Sequence, residues 1–188
     1  MEKHRTDRII PVITAVIGTA AGSILAMLYP TLSIWQSPVF RQGYGIEPTS
    51  FLSLLGFSCL ALCVAAAAGL SVCGSCGVSF AVFSKAAALG AVLAEYYKTD
   101  GFAGFLTSLL FVLPFGFGCM LILVYAASEA ICGARWLTRA VLHAIEGEYP
   151  LRRYALHFWV LALIQTGLTA AQYCVLSCYP AYLSFMIH

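Results

Sequence analysis

Long stretches without charged residues limit how this chain can fold more than any other feature. Of its 188 residues, 10 are Lys or Arg and 8 are Asp or Glu. None of these 18 falls in four runs, 9–40, 48–84, 101–128 and 154–188, which are 32, 37, 28 and 35 residues long. About 18 consecutive apolar residues are enough to suggest a transmembrane helix. The runs therefore predict an all-α, polytopic membrane protein.

The composition argues against several other classes of protein. Charged residues make up 10% of the chain and hydrophobic residues 61%, whereas soluble proteins have about 25% charged residues. This leaves little room for an extramembrane domain, so the lipid bilayer is the first expected partner. The formal net charge of +2, with no basic stripe, argues against binding to nucleic acid.

Helix-weakening residues divide the apolar runs into five predicted spans. The first follows a basic start and lacks a convincing cleavage site, which indicates a retained helix and not a signal peptide. As one helix, 51–97 would reach about 70 Å, more than twice a hydrocarbon core of about 30 Å, so it must turn back near Gly74. A short turn from Lys98 to Gly101 precedes the fourth span. The spans, 9–29, 51–72, 78–97, 102–127 and 156–179, form a single membrane domain.

The Lys and Arg residues of the loops predict the orientation of the chain. With the N-terminus in the cytoplasm, seven of them lie inside and two outside. The inner residues are Lys3, Arg5, Arg8, Arg135, Arg139, Arg152 and Arg153, and the outer ones are Arg41 and Lys98. This excess predicts a cytoplasmic N-terminus and, after five crossings, a C-terminus outside.

The segment 134–150, between the fourth and fifth spans, has an amphipathic pattern. Leu137, Val141 and Ile145 share one helical face, and Arg139 lies on another. The pattern predicts a short cytoplasmic amphipathic helix that ends at Pro150. This helix either lies in the inner interface or extends the fourth span beyond the membrane.

Two charged residues inside predicted spans are candidate functional or structural groups. Lys85 lies about 10 Å from the inner end of the third span, by helix rise, and Glu129 has a comparable depth at the inner end of the fourth. An ionisable residue inside a span costs about 2.5 to 3.5 kcal/mol and is a functional hypothesis by default. We expect Lys85 either to snorkel to the headgroups or to pair with Glu129, with a transport or gating role as the alternative.

Cys73 and Cys76 have the C-x-x-C spacing of some redox motifs and zinc sites. No βαβ pattern surrounds them, and the nearest possible ligands, Cys59 and Cys63, lie well inside the second span. The pattern therefore favours two residues of a tight hairpin, and metal binding or thiol exchange is the alternative.

No set of residues predicts catalysis. Ser75 in a Gly-Ser-x-Gly sequence, with His157 on another span, suggests an intramembrane serine protease, but a tight hairpin also favours Gly and Ser. His157 lies beside two aromatic residues, which is typical of an interfacial belt. The chain contains no phosphate-binding loop, no H-E-x-x-H and no paired carboxylates. We therefore expect no catalytic, cofactor or metal site.

Small residues spaced four apart predict close packing between helices. Gly18 and Gly22 form a GxxxG motif on the first span, and Ala86 and Gly90 repeat the spacing on the third. These faces favour contact within one chain over contact between chains. Pro114 predicts a kink near the middle of the fourth span, because proline removes a backbone hydrogen bond.

A series of features in 69–130 carries a family resemblance. A glycine-containing hairpin leads to a Lys-x-x-x-x-Gly pattern, then to a short turn and a helix centred on a proline. The residues at these positions are Lys85, Gly90, Gly101, Gly104 and Pro114. This order resembles the stage II sporulation protein M family of bacterial membrane proteins, with a close match over about a third of the chain.

The resemblance implies a non-enzymatic scaffold in the bacterial cell membrane. Such an anchor would localise peptidoglycan-degrading partners at the septum and support engulfment of the forespore. Some members of the family look more like partners of transport systems, so a permease-like membrane subunit is the alternative. A permease needs a polar path, for which the possible lining besides Lys85 is Thr107, Ser108, Gln165, Thr166, Thr169 and Gln172. A scaffold needs no such path.

Overall fold

The computed structural model describes residues 3–29, 51–143 and 151–186, of which 96% are helical and none lies in a strand. The helices are α1 (Lys3–Leu28), α2 (Phe51–Gly69), α3 (Gly74–Phe111), α4 (Leu113–His143) and α5 (Leu151–Met186). Each of these five contains a segment long and apolar enough to cross a membrane. The predicted class, an all-α polytopic membrane protein with five spans, is confirmed.

Gly101 interrupts α3 and reverses the chain. Its φ of 61° and ψ of −134° are non-helical, and a positive φ is one that glycine adopts without steric cost. We call 74–100 the long arm of α3 and 102–111 the short arm. A Cβ atom at Gly104 would collide with the carbonyl of Tyr96, so the short arm folds back along the end of the long arm. The reversal lies at the last residue of the predicted turn, while 98–100 remain helical.

A second break separates the short arm of α3 from α4 at Val112. The Val112 N–H donates to the Ser108 carbonyl at 3.0 Å, and the Gly116 N–H donates to the Val112 carbonyl at 2.8 Å. Between them, Pro114 has no N–H for the carbonyl four residues before it, so one helical hydrogen bond is missing here. The short arm and α4 together form one span with a turn at Val112; the kink at Pro114 stays a prediction.

The long arm of α3 and α4 form an antiparallel pair about the turn at Gly101. Near the turn, Gly104 lies against Tyr96. At the far end, a Cβ atom at Gly74 would lie 3.1 Å from the Cβ of Ala134. This register sets the depth of every residue on one helix relative to the other.

Small residues allow α1 to pack closely against the long arm of α3, with the two helices parallel. A Cβ atom at Gly18 would lie 2.9 Å from the Cβ of Ala86, and one at Gly22 would overlap the backbone of α3. The Ser23 hydroxyl donates to the Gly90 carbonyl at 2.9 Å. The predicted GxxxG face and the small-residue face of the third span therefore meet within one chain.

One end of the bundle, which we call the basic end, joins four of the helices. The Tyr154 hydroxyl at the start of α5 donates to the Ala66 carbonyl of α2 at 2.9 Å. The Thr138 hydroxyl of α4 donates to the Val72 carbonyl, in the turn before α3, at 3.2 Å. This end holds Arg135, Arg139, Arg152 and Arg153. The positive charges that predicted a cytoplasmic face thus lie together, and the orientation of the chain in the membrane remains a prediction.

At the opposite end, the ring of Phe51 packs edge-on against Tyr173, with centroids 5.6 Å apart. Successive spans therefore alternate in direction, as five crossings require. The central helix is α4, which contacts all four others, whereas α3 and α5 are separated by α2 and α4. Large apolar side chains cover the outside, for example Leu52 and Trp159, which are 80% and 71% exposed. Such a surface suits lipid and would be costly in water.

The predicted amphipathic helix is not a separate element in the described part of the chain. Residues 134–143 continue α4 without a break, and 144–150 lie outside the described residues. With 31 residues, α4 is about 46 Å long and exceeds a hydrocarbon core of about 30 Å. The described half of this segment thus extends the fourth span, which was one of the two arrangements that the sequence allowed.

Candidate functional site

Lys85 lies near the middle of the bundle, deeper than its sequence position predicted. The helix α3 begins at Gly74 and not at the predicted residue 78, so one more helical turn separates Lys85 from the basic end of the bundle. Ten residues separate Lys85 from Glu95 along α3, and ten separate Cys119, which lies beside Lys85, from Glu129 along α4. Each interval is about 15 Å, half of a hydrocarbon core of about 30 Å. At this depth the side chain is too short to snorkel fully to either headgroup region.

The predicted pair between Lys85 and Glu129 is wrong. A carboxylate oxygen of Glu129 lies 3.7 Å from Nδ1 of His157 on α5. The antiparallel register about Gly101 places Lys85 opposite Cys119, which is about 15 Å from Glu129 by helix rise. The sequence suggested similar depths because it placed the start of the third span too late.

A layer of polar side chains begins inside the bundle at the level of Lys85 and follows α5 for about 10 Å. Three of them lie on one face of α5, at positions i, i+4 and i+7, and are 97% or more buried. The layer consists of the buried residues Ser58, Cys119, Gln165, Thr169 and Gln172 and of the half-buried Lys85. Within it, the Gln165 amide donates to the sulfur of Cys119 at 2.9 Å, and Cys119 lies within electrostatic range of Lys85. We call this set the polar layer.

Two atoms of the polar layer lack the hydrogen bonds that their chemistry calls for. In the described part of the chain, Oγ1 of Thr169 and Oε1 of Gln172 are buried and have no hydrogen-bond partner. A buried polar group left unsatisfied costs about 1 to 3 kcal/mol, and lipid supplies no water to compensate. The two residues are one turn apart on α5, so both atoms are available to a single small polar group.

The break at Val112 in the fourth span lies near the depth of the unsatisfied atoms of Thr169 and Gln172. Gly118 lies against Leu168, and Glu129 against His157. The same antiparallel register of α4 and α5 sets Gln172 level with Pro114. The backbone irregularity and the unsatisfied amide oxygen therefore occur at the same depth.

A groove between α2 and α3 reaches Lys85 from the outside of the bundle. Its volume is about 190 Å³. It is lined by Phe57, Leu60, Ala61 and Val64 of α2 and by Phe80, Ala81, Ser84, Lys85 and Ala88 of α3. We call it the α2–α3 groove. Leu60 and Phe80 are 54% and 72% exposed at its rim, so it opens on the apolar surface. Lys85 thus lines this groove and also lies within electrostatic range of Cys119 in the polar layer.

Cys73 and Cys76 lie in the turn that closes the α2–α3 hairpin. Both are exposed, and the Cys76 N–H donates to the Cys73 carbonyl at 3.2 Å. A Cβ atom at Gly74 would collide with the carbonyl of Ala68, which explains the glycine between them. Within 3–29, 51–143 and 151–186, no group of three or more His, Cys, Asp or Glu could hold a metal ion.

The residues of the protease hypothesis are not brought together. Ser75 is on α3 and His157 on α5, and α2 and α4 lie between these two helices. His157 interacts with Glu129. The structure therefore does not assemble a nucleophile and a base from these two side chains.

Three of the six predicted lining residues lie in the polar layer: Gln165, Thr169 and Gln172. Ser108 is buried nearer to Gly101, and its hydroxyl donates to its own helix. Thr107 and Thr166 are half-buried and also donate to their own helices. The sequence did not single out Cys119 or Ser58. Pairing the third and fourth spans about Gly101 would have placed Cys119 opposite Lys85.

No family model, curated protein or solved structure matches this chain. The resemblance to the stage II sporulation protein M family therefore stays a prediction.

Proposed function

We propose that this protein is a membrane subunit of a transport system and that Lys85 and the polar layer contact the transported substrate. The observation that carries this proposal is the position of Lys85, midway through the bundle, where it lines the α2–α3 groove and lies within electrostatic range of Cys119 in the polar layer. A lysine at the centre of a span costs about 2.5 to 3.5 kcal/mol. A protein that only anchors partners gains nothing from this cost.

The unsatisfied atoms of Thr169 and Gln172 support the same function. They add a further cost to the bundle that a small polar group entering the layer would relieve. In secondary transporters, substrate sites lie near the middle of the bilayer, where helices are interrupted. The turn at Val112, with Pro114 level with Gln172, is a weaker irregularity of this kind, because helical hydrogen bonds continue on both sides of it. The proposal assigns no chemical step to the chain.

A septal scaffold, as the family resemblance implies, is the second candidate. Its support comes from the positions that carry the resemblance. Gly90 packs against α1, Gly101 provides the positive φ, and Gly104 allows contact with Tyr96. Pro114 follows the turn at Val112. The positions that carry the predicted resemblance are therefore ones that shape the hairpin. In this case the cell-membrane anchor would hold peptidoglycan hydrolases through surfaces outside the bundle.

Complementation of a deletion strain separates the two functions. Lys85→Met and Gln172→Leu keep the bundle apolar, and Lys98→Met is a matched control because Lys98 is exposed near Gly101. If the protein functions in transport, Lys85→Met and Gln172→Leu should fail to complement the deletion strain although both reach normal abundance in the membrane. The control, Lys98→Met, should complement it. Full activity of both variants, with septal peptidoglycan hydrolases crosslinked to the protein, would instead establish the scaffold.

A further inference from the structure

We propose that the α2–α3 groove binds a single-chain anionic amphiphile of the fatty-acid class, with its carboxylate at Lys85 and its acyl chain along the groove. This inference rests on the proposed transport function and names the class of substrate. It also specifies the route, since the ligand enters sideways from the bilayer and not through the loops.

The chemistry of the lining calls for an anionic head group. Apart from Lys85 and the hydroxyl of Ser84, every residue that lines the groove is apolar. An acyl chain gains little by leaving lipid for this surface, because both are hydrocarbon. Selectivity must therefore come from the ammonium group. A carboxylate is its complement, since charge-assisted hydrogen bonds are about twice as strong as neutral ones and strengthen where water is excluded.

The size of the groove favours a ligand with one acyl chain over a ligand with two. Its volume of about 190 Å³ is below the roughly 300 to 1,000 Å³ of sites that enclose drug-sized ligands. A slender chain with a compact head group fits such a space, and a two-chain phospholipid with its glycerol phosphate does not. The exposed rim at Leu60 and Phe80 leaves the distal part of the chain in the surrounding lipid.

The depth of Lys85 favours a carboxylate over a phosphate. Moving an isolated charge into hydrocarbon is so costly that ionisable groups tend to neutralise instead. A carboxylic acid does this by taking up a proton, so it can reach the middle of the membrane as the neutral acid. There it passes that proton to the neutral amine form of Lys85, which gives the carboxylate–ammonium pair. A phosphodiester keeps its charge throughout, so it would bear the full free-energy cost of bringing a charge into hydrocarbon.

Photolabelling of the full-length protein in phosphatidylcholine nanodiscs tests this site. The probe is a palmitic acid that carries a diazirine on its chain, and the control probe is the matching fatty alcohol. Labelled peptides are identified by mass spectrometry. We expect the acid to label residues of the groove about tenfold more than the alcohol, as one charge-assisted hydrogen bond would give. Lys85→Met should abolish the preference, whereas Lys85→Arg and Lys98→Met should keep it.

Equal labelling by the acid and the alcohol in the native protein would overturn the inference, as would a preference that survives Lys85→Met. A second arm adds phosphatidylglycerol. If it displaces the acid at equal mole fraction, the ligand is a phospholipid and the fatty-acid class is wrong. Ala81→Leu fills the groove while leaving Lys85 in place, and it should reduce labelling by both probes.

The outcomes distinguish this inference from the proposed function. If the acid labels the groove but Lys85→Met still complements the deletion strain, the site exists and the transport function fails. If Lys85→Met abolishes complementation but the acid shows no preference for the groove, the transport function stands and the substrate belongs to another class.

Discussion

Lys85 on the long arm of α3 lies opposite Cys119 on α4 and within electrostatic range of its sulfur, near the middle of the five-helix bundle. The sulfur of Cys119 also accepts a hydrogen bond from Gln165 on α5. One residue thus joins the charged side chain to the buried polar face of another helix. Through α4, which contacts every other span, a change at Lys85 can reach the rest of the bundle.

Gly101→Ala should destabilise the protein through its backbone alone. No atom lies within 4 Å of a Cβ built at Gly101, but its φ of 61° and ψ of −134° lie in a region used almost only by glycine, and such a conformation costs a residue with a Cβ about 1 to 3 kcal/mol. We expect a lower midpoint of thermal unfolding in detergent micelles. Gly167→Ala is the control, since that position is helical and equally open. A loss of the same size in both variants would contradict this explanation.

Gly22→Ala should weaken the contact between α1 and α3. The added methyl group would overlap the backbone of α3, and overpacking costs about 1 to 3 kcal/mol. Gly56→Ala, which meets no atom within 4 Å, should cause no loss. Unfolding of the purified variants in micelles measures both. Native stability of Gly22→Ala would show that α1 does not pack as described.

A double-mutant cycle tests the partner of Glu129. Glu129→Gln and His157→Gln should be coupled by about 0.5 to 1 kcal/mol when the histidine is protonated, because the two partly exposed side chains lie 3.7 Å apart. Glu129→Gln and Lys85→Met should be additive, since about 15 Å separates their levels. Coupling in the second pair and none in the first would restore the pair predicted from the sequence.

Gln172→Leu should stabilise the protein while impairing its function. Removing the unsatisfied Oε1 atom relieves a cost of about 1 to 3 kcal/mol, so thermal unfolding in micelles without added substrate should occur at a higher temperature. Gln165→Leu is the comparison, because that amide already donates to Cys119 and its loss leaves no stability gain. A destabilised Gln172→Leu would indicate that the amide is structural.

A reporter fused after His188 tests the orientation in the membrane. The positive-inside bias predicts a C-terminus outside the cytoplasm, so a reporter that functions only outside should be active and one that functions only in the cytoplasm should not. The same two reporters fused before Met1 are the control and should give the opposite result. Matching results at both ends would require an even number of crossings.

The sequence alone determined the class of protein and identified the residues that shape its helices and turns. Runs without charge can only be buried in lipid, so the five spans followed from composition and length. Gly101, Pro114 and the Gly18–Gly22 motif act through their own backbone chemistry, which no distant residue changes. For this reason the turn at Gly101 and the close contact of α1 were both predictable.

Only the tertiary structure decided which side chains meet inside the bundle. Glu129 was expected beside Lys85, but starting α3 at Gly74 and reversing the chain at Gly101 sets Cys119 there instead. Each residue of error in a helix boundary moves a side chain 1.5 Å along the axis and about 100° around it. Contacts between helices depend on the sum of such shifts in both partners, so the polar layer emerged only when all five spans were placed together.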